Sequence, residues 1–142
     1  MPTSVEEFIT TIEKSPMKKI INTSNAPAPV GPYNQSVFFN GVLYCSGQIA
    51  LNPSTGELVL DSIEAETHQV MKNMGAVLAE AGLGYIDILK CSVFVSDMNL
   101  YSKINAVYAE YFDEDTAPAR ELVEVANLPK FVNIEISAIA GK

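Results

Sequence analysis

Apolar positions along the chain change period from two to 3.6 and back, and the changes mark out elements. Ser36-Val37-Phe38-Phe39 and Val42-Leu43-Tyr44-Cys45 flank Asn40-Gly41. An Asn-Gly pair between two apolar runs predicts a type I′ hairpin, because both turn residues need positive φ. Ile63, Val70, Met74, Val77, Leu78 and Ala81 line one face of a helix predicted over 62–81. Asp61 or Ser62 caps its start, and Gly82 followed by Leu83 supplies its stop. Residues 86–95 are rich in β-branched and apolar side chains and predict a central strand. Leu100, Ile104, Val107, Tyr108 and Tyr111 form the stripe of a second helix over 100–112. Two further strands, 120–126 and 132–139, are joined by Asn127-Leu128-Pro129-Lys130, and a first strand is expected over 19–23. In front of all this, Ser4 and Glu7 make a capping box, and Val5, Phe8, Ile9 and Ile12 recur at helical spacing. Residues 1–16 therefore read as a short amphipathic helix appended to a single domain of residues 17–142.

The order strand, hairpin, helix, strand, helix, strand, strand predicts an α+β domain, a mixed sheet with two helices packed on one face. Alternation in the last two strands divides their side chains. Val123 and Val125 share one face, Arg120, Leu122 and Glu124 the other; Ile134, Ile136 and Ala138 oppose Asn133, Glu135 and Ser137. Assigning the apolar sets to the helices places Arg120 and Glu135 on the second face. That face mixes charged and apolar groups, a composition suited to a subunit interface that contains a polar site.

Composition narrows the function classes. Nine basic residues against 17 acidic ones give a net charge of −8 in 142 residues, a field that repels phosphate backbones. Only Lys18 and Lys19 are adjacent basic residues, so no basic patch is visible and nucleic acid is not the expected partner. No apolar stretch is long enough to span a bilayer. The first 16 residues carry Glu6, Glu7 and Glu13 and no arginine, which argues against a mitochondrial presequence. Cys45 and Cys91 each lie in an apolar strand and read as buried free thiols of a reducing compartment, with one disulfide between them as the alternative. The expected location is the cytoplasm.

Few residues remain for chemistry. His68, the one histidine, lies mid-helix, so neither a Ser-His-Asp nor a Cys-His arrangement is supported, and one histidine with two separated cysteines gives no metal cluster. Gly82-Leu83-Gly84 is a helix end rather than a nucleotide fingerprint. Arg120 is the single arginine beside eight lysines. A planar two-pronged donor suits a carboxylate grip, although a surface arginine closing the Thr116–Ala119 loop has the same appearance.

Six ordered motifs then resemble one family. They are Asn25-Ala26-Pro27-Ala28-Pro29-Val30-Gly31-Pro32-Tyr33-Asn34-Gln35; Cys45-Ser46-Gly47-Gln48-Ile49; Val93-Phe94-Val95-Ser96-Asp97-Met98; Asn105-Ala106-Val107-Tyr108; Pro118-Ala119-Arg120 with Val123-Glu124-Val125-Ala126-Asn127-Leu128-Pro129; and Ile134-Glu135-Ile136-Ser137-Ala138-Ile139-Ala140. Residues 17–142 resemble the Rid (YjgF, or L-PSP) family and its RidA-like members. The resemblance implies a chorismate mutase-like fold and a homotrimer with sites in clefts between subunits. It also implies a deaminase, needing neither cofactor nor metal, that hydrolyses 2-iminobutanoate and 2-iminopropanoate to keto acids and ammonia. On the same basis Arg120 holds the substrate carboxylate, Glu135 activates water and Tyr33 joins them as a catalytic residue. Ser46, Gly47, Asn105 and Leu122 are expected to line the substrate site.

One departure stands out. Where many members carry Ser-Cys after the arginine, this chain has Glu121-Leu122, so thiol-dependent behaviour is not expected. Two other functions share the sequence features. A non-catalytic, chaperone-like trimer binding small carboxylates needs the same arginine. An RNA-directed endoribonuclease or translation inhibitor matches the L-PSP label but not the charge.

Overall fold

In the computed structural model, residues 4–6 and 17–142 are described. The helix expected over 1–16 lies, apart from 4–6, outside the described residues. The domain holds six strands: β1 (Lys19–Ile21), β2 (Ser36–Phe39), β3 (Val42–Gln48), β4 (Ile88–Val95), β5 (Ala119–Glu124) and β6 (Ile134–Gly141). Two helices, α1 (Ile63–Glu80) and α2 (Tyr101–Ala109), complete it. The strand order is β1-β2-β3-β6-β4-β5. All pairings are antiparallel except β4 with β5, as the helical crossover through α2 requires. This is the mixed α+β sheet expected from the element order.

Local chemistry explains the boundaries. Asn40 and Gly41 have φ of 52° and 83° and join Phe39 to Val42 in the hairpin, the geometry a type I′ turn demands. Ser62, not Asp61, caps α1: its hydroxyl accepts from the Ala65 amide at 3.0 Å. Gly82, with φ of 74°, ends the helix, and the Leu83 amide returns to the Leu78 carbonyl at 2.9 Å. The second helix starts at Tyr101 rather than Leu100 because Met98–Leu100 form a 3-10 turn capped by Asp97. β5 ends at Glu124, and β6 starts at Ile134 after a tight turn at Pro129–Phe131.

The core lies between one sheet face and the helices. Leu43, Val93, Val95, Ile134 and Ile136 of the sheet meet Val70, Met71, Met74, Val77 and Leu78 of α1 and Ile104 of α2, all buried. Each such side chain contributes about 1.5–3 kcal/mol by leaving water. Cys45 and Cys91 are free and buried as expected, and burial pushes the Cys45 thiol up to about 12. His68 is part-buried, its Nδ1 2.7 Å from the Tyr111 hydroxyl and its Nε2 3.5 Å from Glu110.

Among the described residues, no helix packs over the opposite face. Tyr44 pairs with Val37 and Ile139, and Val123 pairs with Phe94, which in turn pairs with Glu135. Tyr44 is 49% and Val123 43% exposed. The assignment of the apolar residues of β5 to the helices is therefore corrected. Val123 lies on the open face, while Arg120 and Leu122 lie on the helix side, in register with Cys91 and Val93 of the core. The reason is positional: β5 is an edge strand, and its helix-side neighbours are aromatic rings of α2, which accept a guanidinium as well as an alkyl group.

Removing the α1 cap tests this account of the helix start. Ser62→Ala is expected to destabilise the domain by about 1 kcal/mol, read as a lower urea midpoint with an unchanged m-value.

Candidate functional site

Tyr101, Asn105 and Tyr108 recur at i, i+4 and i+7 on α2 and so share one helical face. All three turn to Arg120. Its Nη1 donates to Asn105 Oδ1 at 2.8 Å and its Nη2 to the Tyr101 hydroxyl at 3.1 Å. The guanidinium carbon sits 4.9 Å from the Tyr108 ring centre and 5.8 Å from that of Tyr101. Stacking and hydrogen bonds fix the plane of the fork and leave further N–H donors for a ligand. The Tyr108 hydroxyl is buried beside the Cys91 thiol without a well-formed hydrogen bond. Burial raises the Cys91 pKa, though nearby Tyr108 and Arg120 moderate the rise. A cavity of about 410 Å³ opens here, lined by Asn105, Tyr108, Phe112, Pro118 and Arg120. Leu122 follows on the same side of β5, half-buried against the core, and lines neither this cavity nor the next.

A second group gathers around β6. Between Cys45 and Gln48 the β3–β6 register shifts, so Ser46 and Gly47 together oppose Ser137. This bulge turns the Gly47 backbone onto Glu135. A Cβ at position 47 would lie 2.7 Å from Glu135 Oε1 and 2.8 Å from its Cδ, so glycine is what lets the carboxyl lie there. Burial holds the Glu135 carboxyl above its ordinary pKa, and it takes no hydrogen bond from the described residues. Ser46 donates its hydroxyl to the Asn34 carbonyl at 2.5 Å.

Tyr33 reaches this group through a loop held by the buried Gln35. The Gln35 amide nitrogen donates to the carbonyls of Thr23, Ala26 and Pro27, and its oxygen accepts from the Thr23 amide. The Tyr33 hydroxyl accepts from the Val30 amide at 3.4 Å. Tyr33, Ser46, Gly47 and Glu135 line one cavity of about 530 Å³ with Pro129 and Lys130.

The expected site residues thus fall into two groups. Glu135 stands two strands from Arg120 in the order β6-β4-β5, about 10 Å across the sheet. The two side chains also emerge from opposite faces, Arg120 with Cys91 and Glu135 with Phe94. The expectation that they share a face is corrected, and within one chain they do not converge on one small ligand. Tyr101 and Lys130 escaped sequence reasoning. The spacing of Tyr101, Asn105 and Tyr108 was the available signal for the first; a lone loop lysine gives none for the second. Among the described residues, no group of three or more His, Cys, Asp and Glu is placed to hold a metal ion, and no helix is long and apolar enough to cross a membrane.

The raised Glu135 pKa has a consequence for stability. The folded chain holds that proton more tightly than the unfolded chain, so the cost of the buried charge is absent in acid and appears as pH rises through the raised value. Glu135→Gln never carries the charge. Its urea midpoint is expected to exceed that of the wild type near neutral pH and to match it at about pH 3.5.

Residues 23–142 match the family profile described as Endoribonuclease L-PSP. A RutC family protein of Synechocystis is 53% identical over 86% of this chain and 95% of its own length. A 2-iminobutanoate/2-iminopropanoate deaminase of Escherichia coli is 48% identical over 87% of this chain and 98% of its own. The crystal structure of E. coli TdcF with bound serine superposes with a TM-score of 0.82 at 42% identity, covering 87% of this chain and 98% of TdcF. The chain belongs to the L-PSP endoribonuclease family, the group that contains the Rid and RutC proteins.

Proposed function

We propose that this protein hydrolyses reactive 2-imino acids, 2-iminobutanoate and 2-iminopropanoate among them, to 2-keto acids and ammonia. The observation that carries the proposal is the division of labour between the two groups: a stacked, hydrogen-bonded guanidinium fork, and a carboxyl of raised pKa against the Gly47 backbone. The first matches a small carboxylate and the second matches an attacking water. The deaminase relative supports the reaction, and the serine bound to TdcF supports a ligand carrying a carboxylate.

The chemistry asks little more. Arg120 takes the substrate carboxylate in two parallel hydrogen bonds and fixes the imine carbon in space. Glu135 takes a proton as water adds to that carbon, giving a carbinolamine. The proton then passes to nitrogen; as the carbon–nitrogen bond breaks with its electron pair going to nitrogen, the hydroxyl gives its proton back to Glu135, and ketone and ammonia leave. A base whose pKa lies nearer neutrality removes that proton more readily, and a positioned base contributes on the order of 10²–10⁴ in rate. Tyr33 lies on the Glu135 cavity and can orient the water, while Ser46 and Gly47 form its wall. Asn105 holds the fork, and Leu122 adds an apolar side chain two residues along β5 on the same side, where many relatives place a thiol.

Because the two groups face opposite ways, one site needs the Arg120 face of one copy against the Glu135 face of another. Two different patches meeting head to tail close into a ring, and three copies form the homotrimer proposed here. Tyr44 and Val123, exposed in the single chain, lie on the face such an interface would cover.

The assay is keto-acid release from 2-iminopropanoate generated in situ. Arg120→Lys keeps the charge and loses the fork, and turnover is expected to fall by at least about 100-fold with assembly unchanged. Turnover near wild type would remove the carboxylate grip from the account.

A further inference from the structure

We propose that Glu66 is a positioning residue for the Glu135 half of the site. Its carboxylate clasps the backbone where β6 begins and thereby sets where Glu135 and Lys130 stand. The inference rests on the role given to Glu135 above and names a residue outside both cavities.

Glu66 lies in the first turns of α1 and is 1% exposed. A buried carboxylate needs several donors, and here they converge from one short segment. Oε2 accepts from the Asn133 amide at 2.8 Å and the Ile134 amide at 3.2 Å, and Oε1 from Asn133 Nδ2 at 2.7 Å. Ser96, just past β4, closes the other side. Its amide donates to the Asn133 carbonyl at 3.0 Å and its hydroxyl to Asn133 Oδ1 at 3.3 Å. Every polar group of Asn133 is engaged.

Two features make this clasp more than a tie between helix and sheet. Glu135 follows one residue after Ile134, so the amide that Glu66 grips sets the register and direction of the strand that aims the carboxyl. On the other side, Lys130 and Phe131 both have φ of 55°. Consecutive non-glycine residues in that region persist only where surrounding structure over-determines them, and such strain gathers at functional sites. Lys130 lines the Glu135 cavity. The strained turn and the catalytic carboxyl thus flank the one segment that Glu66 holds. A glutamate fits because a carboxylate only accepts, and three N–H groups point at it.

The test compares kcat and KM for imine hydrolysis in Glu66→Asp, Glu66→Gln, Asn133→Ala, Glu135→Gln and the double variant Glu66→Asp/Glu135→Gln. Circular dichroism and sedimentation check that each is folded and assembled. Glu66→Asp keeps the charge but falls one methylene short, and kcat is expected to drop about tenfold with KM nearly unchanged. Glu66→Gln keeps an accepting oxygen for both backbone amides, and the Asn133 amide can turn over to meet its nitrogen, so most turnover is retained. Asn133→Ala loses one of the three bonds and is expected to lose about threefold in kcat; it carries the test should the aspartate variant not fold. The double variant should be no slower than Glu135→Gln alone, because Glu66 acts through Glu135. Wild-type turnover in Glu66→Asp and Asn133→Ala, with Glu135→Gln impaired, overturns this inference alone, and so does a double variant slower by the full additional factor. Wild-type turnover in Glu135→Gln overturns the water-activating role itself, and this inference with it.

Discussion

Alternation along β6 is the constraint on which the rest depends. Ile134, Ile136, Ala138 and Ala140 are buried under the helices, so Glu135, Ser137 and Ile139 must face the other way. A one-residue slip would put Glu135 into the core. The register is pinned along β3 and β4 with two adjustments, one between Ile88 and Lys90 at the far end of β4 and one at Ser46-Gly47, the latter placed where Glu135 needs room. The same residues therefore satisfy the packing demand of the core and the chemical demand of the carboxyl.

β5 solves a different problem at the sheet edge. Arg120 emerges on the helix side yet does not enter the apolar core, because Tyr101, Asn105 and Tyr108 meet it with two hydrogen bonds and a ring face. Glu121, on the alternate face, is occupied by Ser92 and by Lys90 at 3.4 Å, which keeps that acid away from the guanidinium. The single arginine is thus held by neutral partners, and its charge remains for a ligand.

Much of the fold is legible in the sequence where local chemistry and tertiary packing agree. The Asn40-Gly41 turn, the Ser62 cap and the Gly82 stop are each specified by a backbone conformation that few residues satisfy. The starts of β4, α2 and β6 shift by one to two residues because Tyr85–Asp87, Met98–Leu100 and Pro129–Phe131 make tight turns that periodicity does not announce. Hydrophobicity alone does not choose the facing of β5. Val123 is apolar and lies on the open face, whereas Arg120 lies by the helices on aromatic rings. The opposition of Arg120 and Glu135 depends on sheet order and on register across three strands, which no local pattern encodes. Glu66 was invisible for a similar reason: its partners are 67 and 68 residues away.

If each site takes Arg120 from one copy and Glu135 from the next, two inactive variants should repair each other. The decisive measurement is imine hydrolysis by Arg120→Ala and Glu135→Gln unfolded together, refolded as an equal mixture and compared with each refolded alone. Random assembly pairs an intact Arg120 with an intact Glu135 at about one interface in four, so the mixture is predicted to recover roughly a quarter of wild-type turnover. A mixture of mixed assemblies as inactive as its components would contradict a site shared between copies.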